Sequence, residues 1–144
     1  MPGSEKPRYE DVEVGTELPG QTFPVHRVNL VMYAGASGDF NPIHWNERFA
    51  TAVGLPNVIA HGMFTMAEAA RVLTDWVGDP GAIEEYSVRF SRPVVVPDDD
   101  RGATIEVTGT VAEKLDGNRV RVELAARSDS QAVLTRARAV VRLA

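Results

Sequence analysis

The chain changes its hydrophobic period once, and that change limits the folds open to it. Between about His61 and Val77 the residues are mostly apolar (Met63, Phe64, Met66, Val72, Leu73, Trp76 and Val77 among several alanines). Thr65, Glu68, Arg71 and Asp75 interrupt them at three- and four-residue steps. This spacing predicts a helix of roughly 25 Å at 1.5 Å per residue, with most of its sides wrapped by the rest of the protein. Gly78-Asp79-Pro80-Gly81 then breaks it. From residue 83 onward the period is two. Tyr86, Val88 and Phe90 share a face within 83–96, and Ile105, Val107, Gly109 and Val111 do so within 104–114. Val120, Val122, Leu124 and Ala126 follow within 119–127, then Val133, Thr135, Ala137, Ala139, Val141 and Leu143 within 133–143. Asp116-Gly117-Asn118 and Ser128 to Gln131 supply the tight turns. Consecutive hairpins make an antiparallel sheet whose one face must be covered, and the long helix has the matching surface. The expectation is an α+β fold, a long antiparallel sheet wrapped around a central helix, in one domain over residues 1–144.

The segment before the long helix is less regular. Residues 1–8 are expected to be a loose leader. Thr22-Phe23-Pro24-Val25 reads as a short strand, placed at an edge by Pro24. His26 reads as a structural or surface residue. Asn29 is expected to cap a helix from Leu30 to about Ala36, and Asn46 to Val53 forms another, ended by Gly54 and Pro56.

Composition closes off several classes. A net charge of −5 argues against a general nucleic-acid footprint. The absence of cysteine excludes disulfides, thiolate catalysis and cysteine metal sites, and fits a cytoplasmic protein. Met1 to Gly15 is charged and contains proline, so it reads as neither signal peptide nor anchor. No apolar run approaches the ~18 residues of a membrane span. Pro97-Asp98-Asp99-Asp100 reads as a solvated loop with no further oxygen ligands beside it.

Chemistry concentrates in the run Tyr33-Ala34-Gly35-Ala36-Ser37-Gly38-Asp39-Phe40-Asn41-Pro42-Ile43-His44. Pro42 fixes its own φ and drives Asn41 from helical geometry. Asp39 to His44 is therefore a stiff turn whose acid and base can meet in one small volume, as proton transfer requires. The second motif is Ala60-His61-Gly62-Met63, where the long helix begins. The first N–H groups of a helix lack intrahelical acceptors. Gly62 has no side chain to block approach, so its N–H, backed by the helix dipole, can receive a negative oxygen. Acid, base and oxyanion donor together suit proton removal next to a carbonyl. His61 is a second candidate base, but a positive charge is disfavoured at a helix start. His44 is the preferred base and His61 a structural hydrogen-bonding residue.

Ser37-Gly38-Asp39-Phe40-Asn41-Pro42-Ile43-His44 and Ala60-His61-Gly62-Met63 resemble the two motifs of the MaoC-like (R)-specific enoyl-thioester hydratases and dehydratases. The resemblance runs from about Tyr9 to Ala144. Asn41-Pro42-Ile43-His44-Trp45 and Trp76-Val77-Gly78-Asp79-Pro80-Gly81-Ala82 resemble more closely the catalytic beta subunit of actinobacterial (3R)-hydroxyacyl-acyl-carrier-protein dehydratase. The resemblance implies a hot-dog fold and a hydro-lyase, most closely the dehydratase step of type II fatty-acid synthesis. It implies that Asp39 and His44 hold the water added at or lost from carbon 3 and move the carbon-2 proton. It implies further that the Gly62 N–H binds the thioester oxygen and that Asn41 orients the loop. No metal or redox cofactor is implied; the substrate rides on coenzyme A or carrier-protein phosphopantetheine. Arg89 and Arg92 are candidates for docking the carrier or its phosphopantetheine arm. The implied assembly is a homodimer, or a heterodimer with a second hot-dog subunit. The alternatives carried forward are an (R)-specific enoyl-CoA hydratase of fatty-acid breakdown or polyester supply, a hot-dog acyl thioesterase, and a non-catalytic acyl-binding partner subunit.

Overall fold

The computed structural model describes residues 6–144; most of the expected leader, residues 1–5, lies outside the described residues. The leader ends at Tyr9, whose N–H donates to the Ala144 carbonyl at 2.9 Å. Five strands form one antiparallel sheet: β1 (Glu17–Val25), β2 (Ile83–Phe90), β3 (Ala103–Leu115), β4 (Arg119–Ser128) and β5 (Gln131–Arg142). Their order is β1-β3-β4-β5-β2. The alternation expected from residue 104 onward is realised, with Ile105, Val107, Val111, Val120, Val122, Ala139 and Val141 all at or below 1% exposure. The β3–β4 turn uses left-handed Gly117 and Asn118, and the β4–β5 turn uses left-handed Asp129 and Ser130.

Two strand boundaries differ from expectation. β1 starts at Glu17, well before Thr22. Pro19 and Gly20 look like turn residues but lie where the β1–β3 register shifts between Leu18 and Gln21. They make an irregularity inside the strand, and glycine suits position 20 because a Cβ there would sit a tight 3.2 Å from the Val107 carbonyl oxygen. β1 is an edge strand, which is why Pro24 is tolerated. β2 stops at Phe90 and does not continue to Val96. Val94 and Val96 are still buried, because the segment turns away to pair with residues 58–60. Ala60 N–H donates to the Val94 carbonyl (2.9 Å) and Val96 N–H to the Val58 carbonyl (3.0 Å). That short ladder fixes the approach to the Ala60-His61-Gly62 motif.

Helix α1 (Arg27–Ser37) begins three residues earlier than expected. His26, not Asn29, is the N-cap residue; Asn29 is the third helical residue, and its side chain reaches back to accept the His26 N–H at 2.7 Å. Helix α2 (Glu47–Ala52) is capped by Asn46, which accepts the Phe49 N–H at 3.0 Å. Helix α3 (Gly62–Val77) touches β1, β2, β3 and β5. It buries Thr65, Ala69, Val72, Leu73 and Val77. The wrapping is less complete than its sequence suggests: Met63, Ala67, Arg71 and Asp75 form an exposed strip at four-residue steps. The Tyr86 hydroxyl of β2 donates to the Met66 carbonyl at 2.7 Å, and burial pushes that phenol up to about 12.

Candidate active site

The site is built where α1 ends. Gly38, at φ 77°, closes the helix by donating to the Ala34 carbonyl at 2.9 Å. This left-handed conformation suits glycine. The chain then bonds to itself. Asp39 N–H donates to Ser37 Oγ (3.1 Å), and Asn41 N–H donates to Asp39 Oδ1 (3.2 Å). Asn41 Oδ1 in turn accepts the Ile43 N–H at 3.2 Å, capping a single 3-10 turn over Pro42–His44. Asn41 thus orients the loop through its side chain and the Asp39 carboxylate through its backbone N–H.

His44 is only 6% exposed. Its Nδ1 lies 2.6 Å from the Ile59 carbonyl oxygen. A carbonyl only accepts, so Nδ1 carries the hydrogen and Nε2 has a free lone pair. Nε2 lies 3.9 Å from Asp39 Oδ2. That is too long for a direct hydrogen bond but suits a water molecule about 2.8 Å from each atom. Burial holds the His44 imidazole below its ordinary value of 6.5, and nearby His61 pushes the same way; the Ile59 carbonyl and Asp39 oppose them. The resting state is therefore a neutral imidazole with Nε2 open.

His61 is the N-cap residue of α3 and is 1% exposed. Its ring stacks on that of His44, with centroids 3.7 Å apart and planes inclined by 20°. Its Nε2 lies 3.1 Å from the Asp39 carbonyl oxygen, while Nδ1 is buried with no partner. Gly62 follows as the first helical residue. It lines a cavity of about 360 Å³ together with His44, Thr65, Phe90, Arg92 and Leu134. The Phe90 ring lies against Gly62 so closely that a Cβ there would come within 3.1 Å of it. Any larger residue at this position would press on that ring beside the helix start.

His44, from the 3-10 turn, and Gly62, from the start of α3, share the cavity; Asp39, just past the end of α1, does not line it but stands 3.9 Å from His44 Nε2. Arg92 lines the same cavity. Arg89 does not; it borders a separate groove with Ser87, Arg136 and Arg138. Strand residues alternate faces, so with Phe90 turned to the cavity Arg89 must point the other way. Sequence reading missed the Ile59 carbonyl as the partner of His44, and no residue type could have signalled a backbone group. It also missed Phe90 as the cover of Gly62, although the period of two had placed Phe90 on the inner face.

Asp39, His44 and His61 each bring one donor atom within a 4.8 Å cluster. His44 turns Nδ1 to the Ile59 carbonyl, His61 turns Nε2 to the Asp39 carbonyl, and the remaining His61 nitrogen is buried without a partner.

Comparison with known proteins identifies the family. The MaoC like domain matches residues 11–130. The chain belongs to the MaoC-like domain family. An (R)-specific enoyl-CoA hydratase of Rhodospirillum rubrum is 35% identical over 107 residues, 74% of this chain and 73% of the relative. The 3-hydroxyacyl-thioester dehydratase X of Mycobacterium tuberculosis is 44% identical over 80 residues, 55% of this chain but 27% of that protein. A solved MaoC-like dehydratase superimposes with a TM-score of 0.93 at 41% identity, over 96% of this chain and 43% of its own. This MaoC-like chain thus spans about a quarter of the M. tuberculosis relative and under half of that solved chain. No described helix is long and apolar enough to cross a membrane.

Proposed function

We propose that this MaoC-like chain is a (3R)-hydroxyacyl-thioester dehydratase that also runs in reverse as an (R)-specific trans-2-enoyl-thioester hydratase. The observation that carries the reading is the 3.9 Å gap between Asp39 Oδ2 and the open Nε2 of His44, beside the cavity that Gly62 lines. In the hydration direction a water held in that gap gives one proton to the Asp39–His44 pair as its oxygen attacks carbon 3. The C2=C3 π pair moves to the thioester oxygen, where the Gly62 N–H receives the negative charge. The enolate then takes a proton on carbon 2 from the Asp39–His44 pair. Dehydration reverses each step. Atoms and charge balance without any change of oxidation state, so the chemistry calls for no redox group or metal.

The thioester reaches the site on coenzyme A or on carrier-protein phosphopantetheine. Arg92 at the cavity is the cation placed to meet a phosphate of that arm; Arg89, on the other face, is not. The setting that best fits both motifs is the dehydratase step of type II fatty-acid synthesis, in the cytoplasm. The R. rubrum relative favours a second setting, hydration of free enoyl-CoA in fatty-acid breakdown or polyester supply. Phe40, Trp45, Met63 and Phe90 are all more than half exposed. Large apolar side chains left open in this way mark a surface that a partner covers. The partner proposed is a second hot-dog subunit, identical or not.

The test is hydration of crotonyl-CoA, followed by loss of enoyl absorbance and chiral analysis of the product. The wild type should give the (3R) alcohol, and Asp39→Asn should lose about a hundredfold or more in rate. Release of free thiol instead would identify a thioesterase. Acyl-thioester binding without turnover, alone and with a partner hot-dog subunit, would identify a non-catalytic subunit.

A further inference from the structure

His61 is the one buried titratable side chain beside the site to which the reaction above gives no role. A histidine that merely fills space in a core normally satisfies both ring nitrogens. This one leaves Nδ1 orphaned at 1% residue exposure. A buried acceptor without a partner costs roughly 1–3 kcal/mol. The position is therefore held by its other contacts, of which the Asp39 carbonyl and the His44 ring lead to the site.

We propose that His61 is a positioning residue: it grips the Asp39 carbonyl through Nε2–H and lays its ring on His44, so that acid and base are held at a fixed separation. The donor follows from the contact, since the Asp39 carbonyl at 3.1 Å can only accept. The groups facing the ring are Tyr33 from α1, at 4.7 Å between centroids, His44 from the 3-10 turn, and the Asp39 backbone. Phe64 of α3 meets the edge of Tyr33 behind them. Arg92 lines the adjoining cavity as a further cation. The only carboxylate in this group, Asp39, presents its carbonyl rather than its acid oxygens. The stacked ring also covers one face of His44 from water, which adds to the burial that keeps His44 neutral.

The inference rests on the Asp39–His44 reading, and its test separates the two. His61→Phe keeps a flat ring against His44 but removes the donor to Asp39. His61→Gln keeps a donor near the Nε2 position but removes the aromatic face. The readouts are thermal melting, crotonyl-CoA kinetics and an NMR titration of ¹⁵N-labelled histidines. In the wild type, the His61 Nε2 should carry a hydrogen bonded to the Asp39 carbonyl. His61→Phe keeps the burial that chiefly lowers His44, so it should move the His44 midpoint less than His61→Gln does and lower kcat about tenfold or more, with KM little changed. His61→Gln should move the His44 midpoint up toward the ordinary histidine value, so that activity is lost at higher pH than in the wild type. A wild-type His61 whose Nε2 carries no hydrogen toward the Asp39 carbonyl overturns the proposal even if neither variant folds. Folded variants that share the wild-type titration and rate overturn it too. The titration needs no turnover. If Asp39→Asn turns over as fast as the wild type, the dehydratase reading fails while the NMR result still decides what His61 does.

Discussion

The two ends of α3 are held by different physics. Its C-terminal half presents Val72, Leu73 and Val77, at 0–5% exposure, to the sheet. No polar side chain needs a partner there, and removal from water does the work. Its N-terminal end begins at His61 with an orphaned nitrogen and continues through Gly62 and Met63, which lie open. One end is finished as a core; the other leaves donors and space unused, at a cost in stability. A single helix thus separates the part that stabilises the fold from the part that does chemistry, about four turns apart.

That division can be broken by four measurements. Truncating Leu73 to alanine, at 0% exposure, should cost about 2–5 kcal/mol in a denaturant melt, with the folded fraction keeping its specific activity. An equal loss of activity per folded molecule would show that the two ends are not separable. Asp39→Asn should do the converse. Its hundredfold loss of rate corresponds to about 2.7 kcal/mol of barrier, yet the melt should move by less than about 0.5 kcal/mol. The asparagine can still accept the Asn41 N–H, and the replaced side chain is half exposed.

A smaller effect comes from pH. His44 binds its proton below 6.5 in the fold, whereas the unfolded chain binds it at the ordinary value. In the window just below 6.5 the unfolded state therefore holds more protons, and stability falls as pH falls. The contribution is fully present above 6.5 and lost as pH drops through the folded value. Melting of the wild type from pH 7 to 5 should show this slope, and His44→Asn should flatten it. Smallest of all, Arg92→Ala should raise KM for an acyl-coenzyme A a few-fold, in keeping with an exposed charge contact worth up to about 1 kcal/mol. Arg89→Ala should leave KM unchanged; equal effects from both would place the carrier arm elsewhere.

What the sequence makes legible follows the same division. The strands after residue 104 are readable because a period of two leaves little choice of buried face, as Val120 and Val122 show. Asp39 and His44 are readable because Pro42 restricts the backbone between them. β1 was under-read because Leu18-Pro19-Gly20 carries turn residues inside a strand, where a neighbouring carbonyl favours the glycine. β2 was over-read because Val94 and Val96 keep the apolar pattern while pairing with residues 58–60. The start of α1 was misjudged because Asn29 satisfies a donor upstream of itself, which composition does not distinguish from capping downstream. Arg89 and Arg92 are alike in residue type but part because Arg89 lies on the face of β2 opposite Phe90, while Arg92 follows the strand's end.

The Ile59 carbonyl that holds His44 has a consequence of its own. A carboxylate in that place could be titrated away in acid or exchanged by a point mutation. A main-chain oxygen has no proton to gain in that range and is supplied by all twenty residue types. The tilt of the imidazole is thus insulated from both solution conditions and genetic drift, and the machinery is left vulnerable at the partner atom alone.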